Sequence, residues 1–241
     1  MEINQRQKKI IRWIVKRYIQ TQKPVSSKMI AKRCSLGIGA PMIRIELRRL
    51  EEKGYLFQPH TSAGRIPMEK AYRFFVEEIL KEKRKKDKEK QLLKEQLKRV
   101  IFQKNTDILG LCMNLVDFLA SASSSLVLAQ LLEKRICLKE GWQWLIREKE
   151  VQEEGGREEL IDLLDLFERE MEKMKTESEI KIFIGGEDEF ADFSRFSVLV
   201  SSFHLPFKEK GIISLIGPKR MAYEKNIKLF QALKEVLEEN K

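Results

Sequence analysis

The stretch from Pro24 to Arg73 constrains the fold more than any other part of the chain. Pro24 ends a preceding helix, because proline lacks the N–H that a continuing helix needs. Ser27 follows as a candidate cap for a short helix over about Lys28 to Arg33, its hydroxyl accepting from an unpaired first-turn N–H. Cys34 to Gly37, with Gly39 close behind, punctuates a turn. Pro41 suits the first position of the next helix, where its missing N–H would be unpaired in any case. Along that helix Ile43, Leu47 and Leu50 recur at helical spacing and face inward, which leaves Arg44, Ile45, Arg48 and Arg49 on the outer faces. Gly54 fits a left-handed helix stop. Tyr55-Leu-Phe57 and Arg65-Ile66 read as two short strands, and the loop between them, with Pro59, Gly64 and small hydroxyl residues, reads as a hairpin tip. A helix, a turn, a second helix and a hairpin in this order make a winged helix-turn-helix.

Charge is distributed unevenly along the chain. Residues 1 to 80 hold 17 Lys and Arg against 7 Asp and Glu, residues 81 to 104 hold 11 against 4, and residues 105 to 241 hold 19 against 26. A basic N-terminal part joined to an acidic body points to a polyanionic partner for the first. The excess over 81 to 104, taken alone, reads more simply as a solvated lysine-rich surface.

The residues of the hairpin carry a resemblance. Pro59-His-Thr-Ser-Ala-Gly-Arg-Ile-Pro67, followed by Lys70, Tyr72 and Arg73, closely resembles the wing of the HrcA family, the heat-inducible transcription repressors. Pro24-Val-Ser-Ser27 and Ala31-Lys-Arg33 resemble that family's preceding helix. Ile184-Gly185 with Glu187, and Gly211 through Tyr223, resemble its C-terminal part. The resemblance implies repression of chaperone genes through an inverted-repeat operator on double-stranded DNA, release on heating and support from the chaperonin. An inverted repeat requires a two-fold homodimer. The resemblance also implies a GAF-like second domain, into which the family inserts a dimerisation segment. Here only about 30 residues separate Leu128 from the helix at Glu158, so the chain is expected to lack that insert and one or more sheet strands, which leaves its mode of dimerisation open.

Within this frame the candidate DNA-contacting residues are Ser27, Lys28, Pro41, Met42, Arg44, Ile45, Arg48, Arg49, His60, Thr61, Ser62 and Arg65. A guanidinium pairs bidentately with guanine or phosphate, which suits Arg48 and Arg49; Arg44 matches an arginine of the family helix. The family usually shows Ser, Thr or Asn where this chain has Gly39, Met42 and Ile45. Ile45 cannot hydrogen-bond a base, although it can meet a thymine methyl. In the wing, His60, Thr61, Ser62 and Arg65 are placed for phosphate or the minor groove, where contacts position without reading sequence. The rival for the arginines is mere solvation, and for His60 and Thr61 stabilisation of the hairpin.

The remaining elements read as an α+β chain. Asn4 with Gln7 forms a capping box for a first helix over about 4 to 21, with Ile10, Ile11, Ile14, Tyr18 and Ile19 as its apolar stripe. Met68 to Phe102 reads as one long helix, with Tyr72, Phe75, Val76, Ile79 and Leu80 along its first half. The charged run Lys81 to Lys90 is a solvent-exposed bridge, after which Leu92, Leu93, Leu97 and Val100 restore the stripe. Asn105 or Thr106 caps another helix, Ser121 to Ser125 is a loop, and Leu126 to Ala129 is a buried strand. Residues 130 to 156 show no clear pattern. Glu158 to Lys175 is a helix with Leu160, Ile161, Leu164, Phe167, Met171 and Met174 inward. Strands at Ile180 to Ile184, Phe196 to Phe203 and Gly211 to Ile216 precede a last helix from near Lys219, with Ile227, Phe230, Leu233 and Leu237 facing inward. The domains are therefore 1–80, a winged helix-turn-helix; 81–104, a charged helical linker; and 105–241, a reduced GAF-like domain.

No enzyme emerges from these residues. Gly185-Gly186 and Gly217-Pro218 lack phosphate-loop spacing and read as turns, Glu187-Asp-Glu189 as an acidic loop. Ser201, Ser202 and His204 lack a nucleophile-elbow pattern. Cys34, Cys112 and Cys137 are odd in number without a CxxC pair, and His60 and His204 are isolated, so neither zinc nor a disulfide framework is expected. No cofactor is implied. Free, buried thiols in a reducing cytoplasm fit best, as does the absence of a signal pattern or of an apolar run of about 18 residues. Two rivals remain: a regulator whose GAF-like domain binds a small effector, and a structural DNA-associated protein with weakened sequence reading.

Overall fold

The computed structural model describes residues 3–82, 87–102, 107–171, 179–186, 192–205 and 209–239. The chain forms two compact units, Met1–Lys83 and Arg84–Lys241, and its elements are mixed helix and sheet, an α+β architecture.

In the first unit, α1 (Gln5–Thr21) opens on the capping box, Asn4 accepting from the Gln7 N–H while the Gln7 side chain accepts from the Asn4 N–H. It buries Ile10, Ile11, Ile14 and Val15; Tyr18 and Ile19 are only half-buried. The cap of α2 (Ser27–Arg33) is Ser26, which accepts from the Met29 N–H, and not Ser27. The shift has a cause one residue earlier. Val25 is held extended by exchanging both backbone hydrogen bonds with Arg65, at 2.9 and 2.8 Å, so Ser26 inherits the extended backbone a cap requires. In α3 (Ala40–Glu52) Ala40 takes the first helical position and Pro41 the second, both places where a backbone N–H lacks a helical partner. Ile43, Leu47 and Leu50 are buried. Gly54, at φ +74°, turns the chain into β1 (Leu56–Phe57), which pairs antiparallel with β2 (Ile66–Pro67). α4 (Glu69–Lys81) buries Ala71, Tyr72, Phe75 and Val76 and packs on α1.

The single helix predicted from Met68 to Phe102 is two. α4 ends at Lys81, with Glu82 extended, and α5 (Lys88–Ile101) starts afresh with Asp87 as its cap. Residues 81 to 90 contain no apolar side chain that packing could grip, and Asp87 accepts from the N–H groups of Glu89 and Lys90. The remainder of the predicted bridge, residues 83–86, lies outside the described residues.

In the second unit, α6 (Ile108–Ser123) is capped by Asp107; the predicted caps Asn105 and Thr106 lie outside the described residues. The helix continues through the serines expected to form a loop and stops at Ser124, which is left-handed. Five strands follow: β3 (Leu126–Leu131), β4 (Ile136–Glu140), β5 (Lys181–Ile184), β6 (Phe196–His204) and β7 (Lys210–Pro218). They form one antiparallel sheet in the order β4-β3-β7-β6-β5. Residues 130–156 thus supply β4 and two single turns, α7 (Trp142–Leu145) and α8 (Lys149–Gln152). One sheet face packs Leu128, Val198, Val200, Ile212 and Ile216 against Leu164 and Phe167 of α9 (Gly156–Met171). The other receives α6 and α10 (Tyr223–Glu238), where Phe203 meets Phe230 edge-on with ring centroids 6.0 Å apart. α5 lies over α6 and α10.

Several expectations shift in detail. Ile161 is 58 % exposed while Leu163 is buried, so the inward stripe of α9 sits further round the helix; Met174 lies outside the described residues. α10 begins at Tyr223 rather than near Lys219, because the Tyr223 hydroxyl donates to the Lys219 carbonyl at 2.6 Å and meets Ser197 Oγ at 2.8 Å, folding the intervening residues into a turn. Gly217-Pro218 ends β7 instead of forming a turn. Of the thiols, Cys112 is buried, but Cys34 is half-buried and Cys137 is exposed on the edge strand β4.

Candidate nucleic-acid interface

The start of α2, the middle of α3 and the loop between β1 and β2 line a cleft of about 490 Å³. Its walls include Ser27 and Lys28 from α2, Arg44 and Arg48 from α3, and Thr61, Ser62 and Arg65 from the loop. Three devices hold the loop in place. Val25 and Arg65 form an isolated antiparallel bridge. Gly64 lies so close to that bridge that a Cβ would stand 2.4 Å from the Val25 carbonyl carbon, which excludes every other residue. Gln58 donates to the Thr61 and Ala63 carbonyls at 2.9 and 3.0 Å and closes the tip on itself. Glu51, at the end of α3, then ties loop to helix: its carboxylate accepts from the Gln58 N–H at 3.1 Å and pairs with Arg65 at 3.0 Å.

The predicted contact residues divide into groups. Arg48 is 80 % exposed and leans on Glu52 of its own helix; Arg49 is 57 % exposed and approaches Glu46 at 3.6 Å. Pro41, Met42, Arg44 and Ile45 are exposed along the same side of α3. His60, Thr61 and Ser62 are exposed at the tip, with His60 Nδ1 and Ser62 Oγ 3.0 Å apart. Ser27 is half-buried and Lys28 exposed. Arg65 differs from the rest: its side chain is 15 % exposed and engaged by Glu51. It builds the wing rather than projecting from it.

Sequence reasoning missed the polar supports behind this surface. Glu46 is buried on α3 at 2 % exposure, accepts from Gln7 Nε2 at 2.9 Å and lies 3.5 Å from Arg6. Gln7 in turn accepts from Lys53 at 3.2 Å. One cap residue of α1 therefore also orients the carboxylate beside Arg49. The signal was available, since Glu46 stands three residues after Ile43 and one before Leu47, on the edge of the buried face. Nothing in the sequence marked Gln58. Lys70 stands 4.7 Å above the Tyr55 ring and donates to the Lys53 carbonyl at 2.9 Å, bracing the base of the hairpin.

The second basic stretch finds its counterions within its own unit. On α5, Lys90 and Lys94 pair with Glu235 of α10, and Lys94 and Lys98 pair with Glu239. Lys228 answers from α10 to Asp87 and Glu89. Hydrogen bonds from Lys94 and Lys98 hold the Glu239 carboxyl down to about 2, and the bond to Glu239 raises the Lys94 ammonium. The stretch read as a solvated linker is, over α5, a helix three of whose lysines, Lys90, Lys94 and Lys98, are paired with glutamates of its own unit. Among the described residues, no group of three His, Cys, Asp or Glu is placed to hold a metal, and no helix is long and apolar enough to cross a membrane.

Comparison with known proteins adds the lineage. The chain is 48 % identical over 94 residues to the heat-inducible transcription repressor HrcA of Desulforudis audaxviator, an alignment covering 39 % of this chain and 27 % of that protein. It is 45 % identical over 95 residues to the protein of the same name from Clostridioides difficile, covering 39 % and 28 %. These alignments span less than a third of the relatives' own lengths. The fold is also that of a solved structure described as a hypothetical protein, with a TM-score of 0.83 over 98 % of both chains at 21 % identity. The family described as HrcA protein C terminal domain matches residues 68–227, well over half of the sequence, and the chain belongs to the HrcA family.

Proposed function

We propose that the chain is a DNA-binding transcription repressor of the HrcA type. The carrying observation is that Arg44 and Arg48 of α3 and the wing loop flank one cleft, in a part of the chain with 17 basic against 7 acidic residues. In this reading α3 enters the major groove, Arg48 and Arg49 meet base edges or phosphate, and Thr61, Ser62 and Lys28 grip the flanking backbone. The target is an inverted repeat ahead of chaperone genes, read by two copies of the chain about a two-fold axis. Repression ends on heating, and the chaperonin supports the active form.

Footprinting of the full chain on the chaperone-gene promoters of its own genome, with random duplex as competitor, tests the reading. A protected symmetric block that resists the competitor supports it. Equal competition by random DNA overturns it and leaves a structural DNA-associated protein. For release on heating, the expected order is loss of the second unit's fold or of the dimer before loss of the winged helix, since a lone half-site forfeits the gain from linking two contacts. Sedimentation and near-ultraviolet melts, run beside operator binding, check the order. Operator loss from a folded dimer would point to a small-molecule effector instead.

A further inference from the structure

The outward side of α3 is not uniformly polar. Met42 and Ile45, close to one turn apart, are 44 % and 46 % exposed. Ile43, Leu47 and Leu50 anchor the helix from the opposite side, so neither exposed residue is needed to hold it. An exposed isoleucine is also a poor choice for a helix, because its branched Cβ loses rotamer freedom there. Arg44 precedes Ile45, and Arg48 and Arg49 occupy the next turn. The apolar pair is thus fringed by guanidinium groups and lies toward the N-terminal half of the helix, the part of a recognition helix that meets base edges.

A surface that is apolar at its centre and cationic at its margin fits an apolar group displayed among phosphates. In duplex DNA that group is the 5-methyl of a pyrimidine, which stands in the major groove. We infer that Met42 and Ile45 form a contact for pyrimidine 5-methyl groups and are specificity determinants of this chain. The methyl belongs to thymine or to 5-methylcytosine, and the contact selects sequence without a hydrogen bond. This inference rests on α3 being the helix that enters the groove.

The test uses the full chain and duplexes that it enriches from a randomised pool. Each thymine is replaced in turn by uracil, which removes only the methyl. One or two positions per half-site are expected to lose about fourfold in affinity each, the value of one buried methyl-sized group. Ile45→Ala should lose a similar factor on the thymine duplex and nothing further on the uracil duplex. Replacing cytosine by 5-methylcytosine at neighbouring positions shows whether the second source of the methyl is also accepted. Arg48→Ala separates the two layers of the argument. If Arg48→Ala weakens binding while uracil is neutral at every position, α3 binds DNA but the apolar pair does not read methyls, and the inference fails. If neither change has an effect, the reading of α3 as the groove-entering helix fails as well. If no sequence is enriched, or if Ile45→Ala leaves DNA binding intact and shifts self-association in sedimentation, the pair is not a base contact.

Discussion

α3 and α5 are both amphipathic helices with conspicuous cations, and they use them in opposite ways. α5 carries five basic residues against two acidic, while α3 carries three of each. By formal charge α5 is the better candidate for a polyanion. Geometry reverses the ranking. Glu235 of α10 and Glu239, which caps its end, answer three of the α5 lysines, whereas on α3 Glu46 is buried and Glu51 turns to the wing. The α3 arginines are left pointing outward with weak local counterions. Residue type agrees with placement, for arginine offers the planar fork that matches phosphate and guanine, and lysine a flexible point charge. A count of charges therefore says less than a map of where each counterion comes from.

The sharpest way to break this contrast is salt. If the cations of the first unit meet about six phosphates, raising salt from roughly 50 to 200 mM should lower DNA affinity by about 10³-fold. Lys94→Ala and Lys98→Ala should leave that slope unchanged, because their charges are already satisfied. A flat salt response, or a slope that falls in the α5 variants, reverses the assignment.

The next effect in size is that of single arginines. Arg48→Ala should cost about 1–3 kcal/mol of DNA affinity and leave the melting temperature unchanged. Arg49→Ala should weaken binding to a specific site far more than to random DNA if it reads a base, and equal losses on the two would remove it from that role. Arg65→Ala should weaken both alike and also lower the melting temperature of the first unit, since it leaves Glu51 without its cation; gel shifts on both DNAs beside a thermal melt separate the cases.

A smaller effect belongs to the α5–α10 pairs and to pH. Burial pushes the Glu235 carboxyl up, but hydrogen bonds from Lys90 and Lys94 outweigh it, and Glu239 is held lower still. Carboxyls depressed in the fold bind fewer protons folded than unfolded, so their stabilisation is present above the ordinary carboxylate range and fades as pH falls toward about 2. The second unit should melt at lower temperature at pH 3 than at pH 5, and Glu235→Gln with Glu239→Gln should shrink the difference. The smallest effect is Lys98→Ala, at most about 1 kcal/mol in a denaturant titration, as for other surface pairs.

The same contrast explains what could be read from the chain alone. The capping box at Asn4, the Ile43, Leu47 and Leu50 stripe, the Gly54 stop and the hairpin are set by neighbours within a few residues, and local chemistry declares them. The partner of Lys94 is Glu239, 145 residues away, and no pattern near either announces the pair. β4 has no local signature, because this edge strand is only half-buried and shows no clean alternation. The break between α4 and α5 was hidden by high helix propensity in a stretch with nothing apolar to pack. Arg65 matched a family motif, but only Glu51 reveals that it supports the wing.

The bridge between Val25 and Arg65 has a consequence for how the wing can diversify. A segment some forty residues upstream, at Val25, fixes its base at Gly64 and Arg65, and β1 and β2 are each two residues long. Length changes between Pro59 and Ala63 would forfeit the bonds that Gln58 makes across the tip while the base stayed fixed. The tip is thus a graftable module: on the proposed reading, its reach along a nucleic-acid backbone would be reset by loop exchange without re-engineering the helices beneath it.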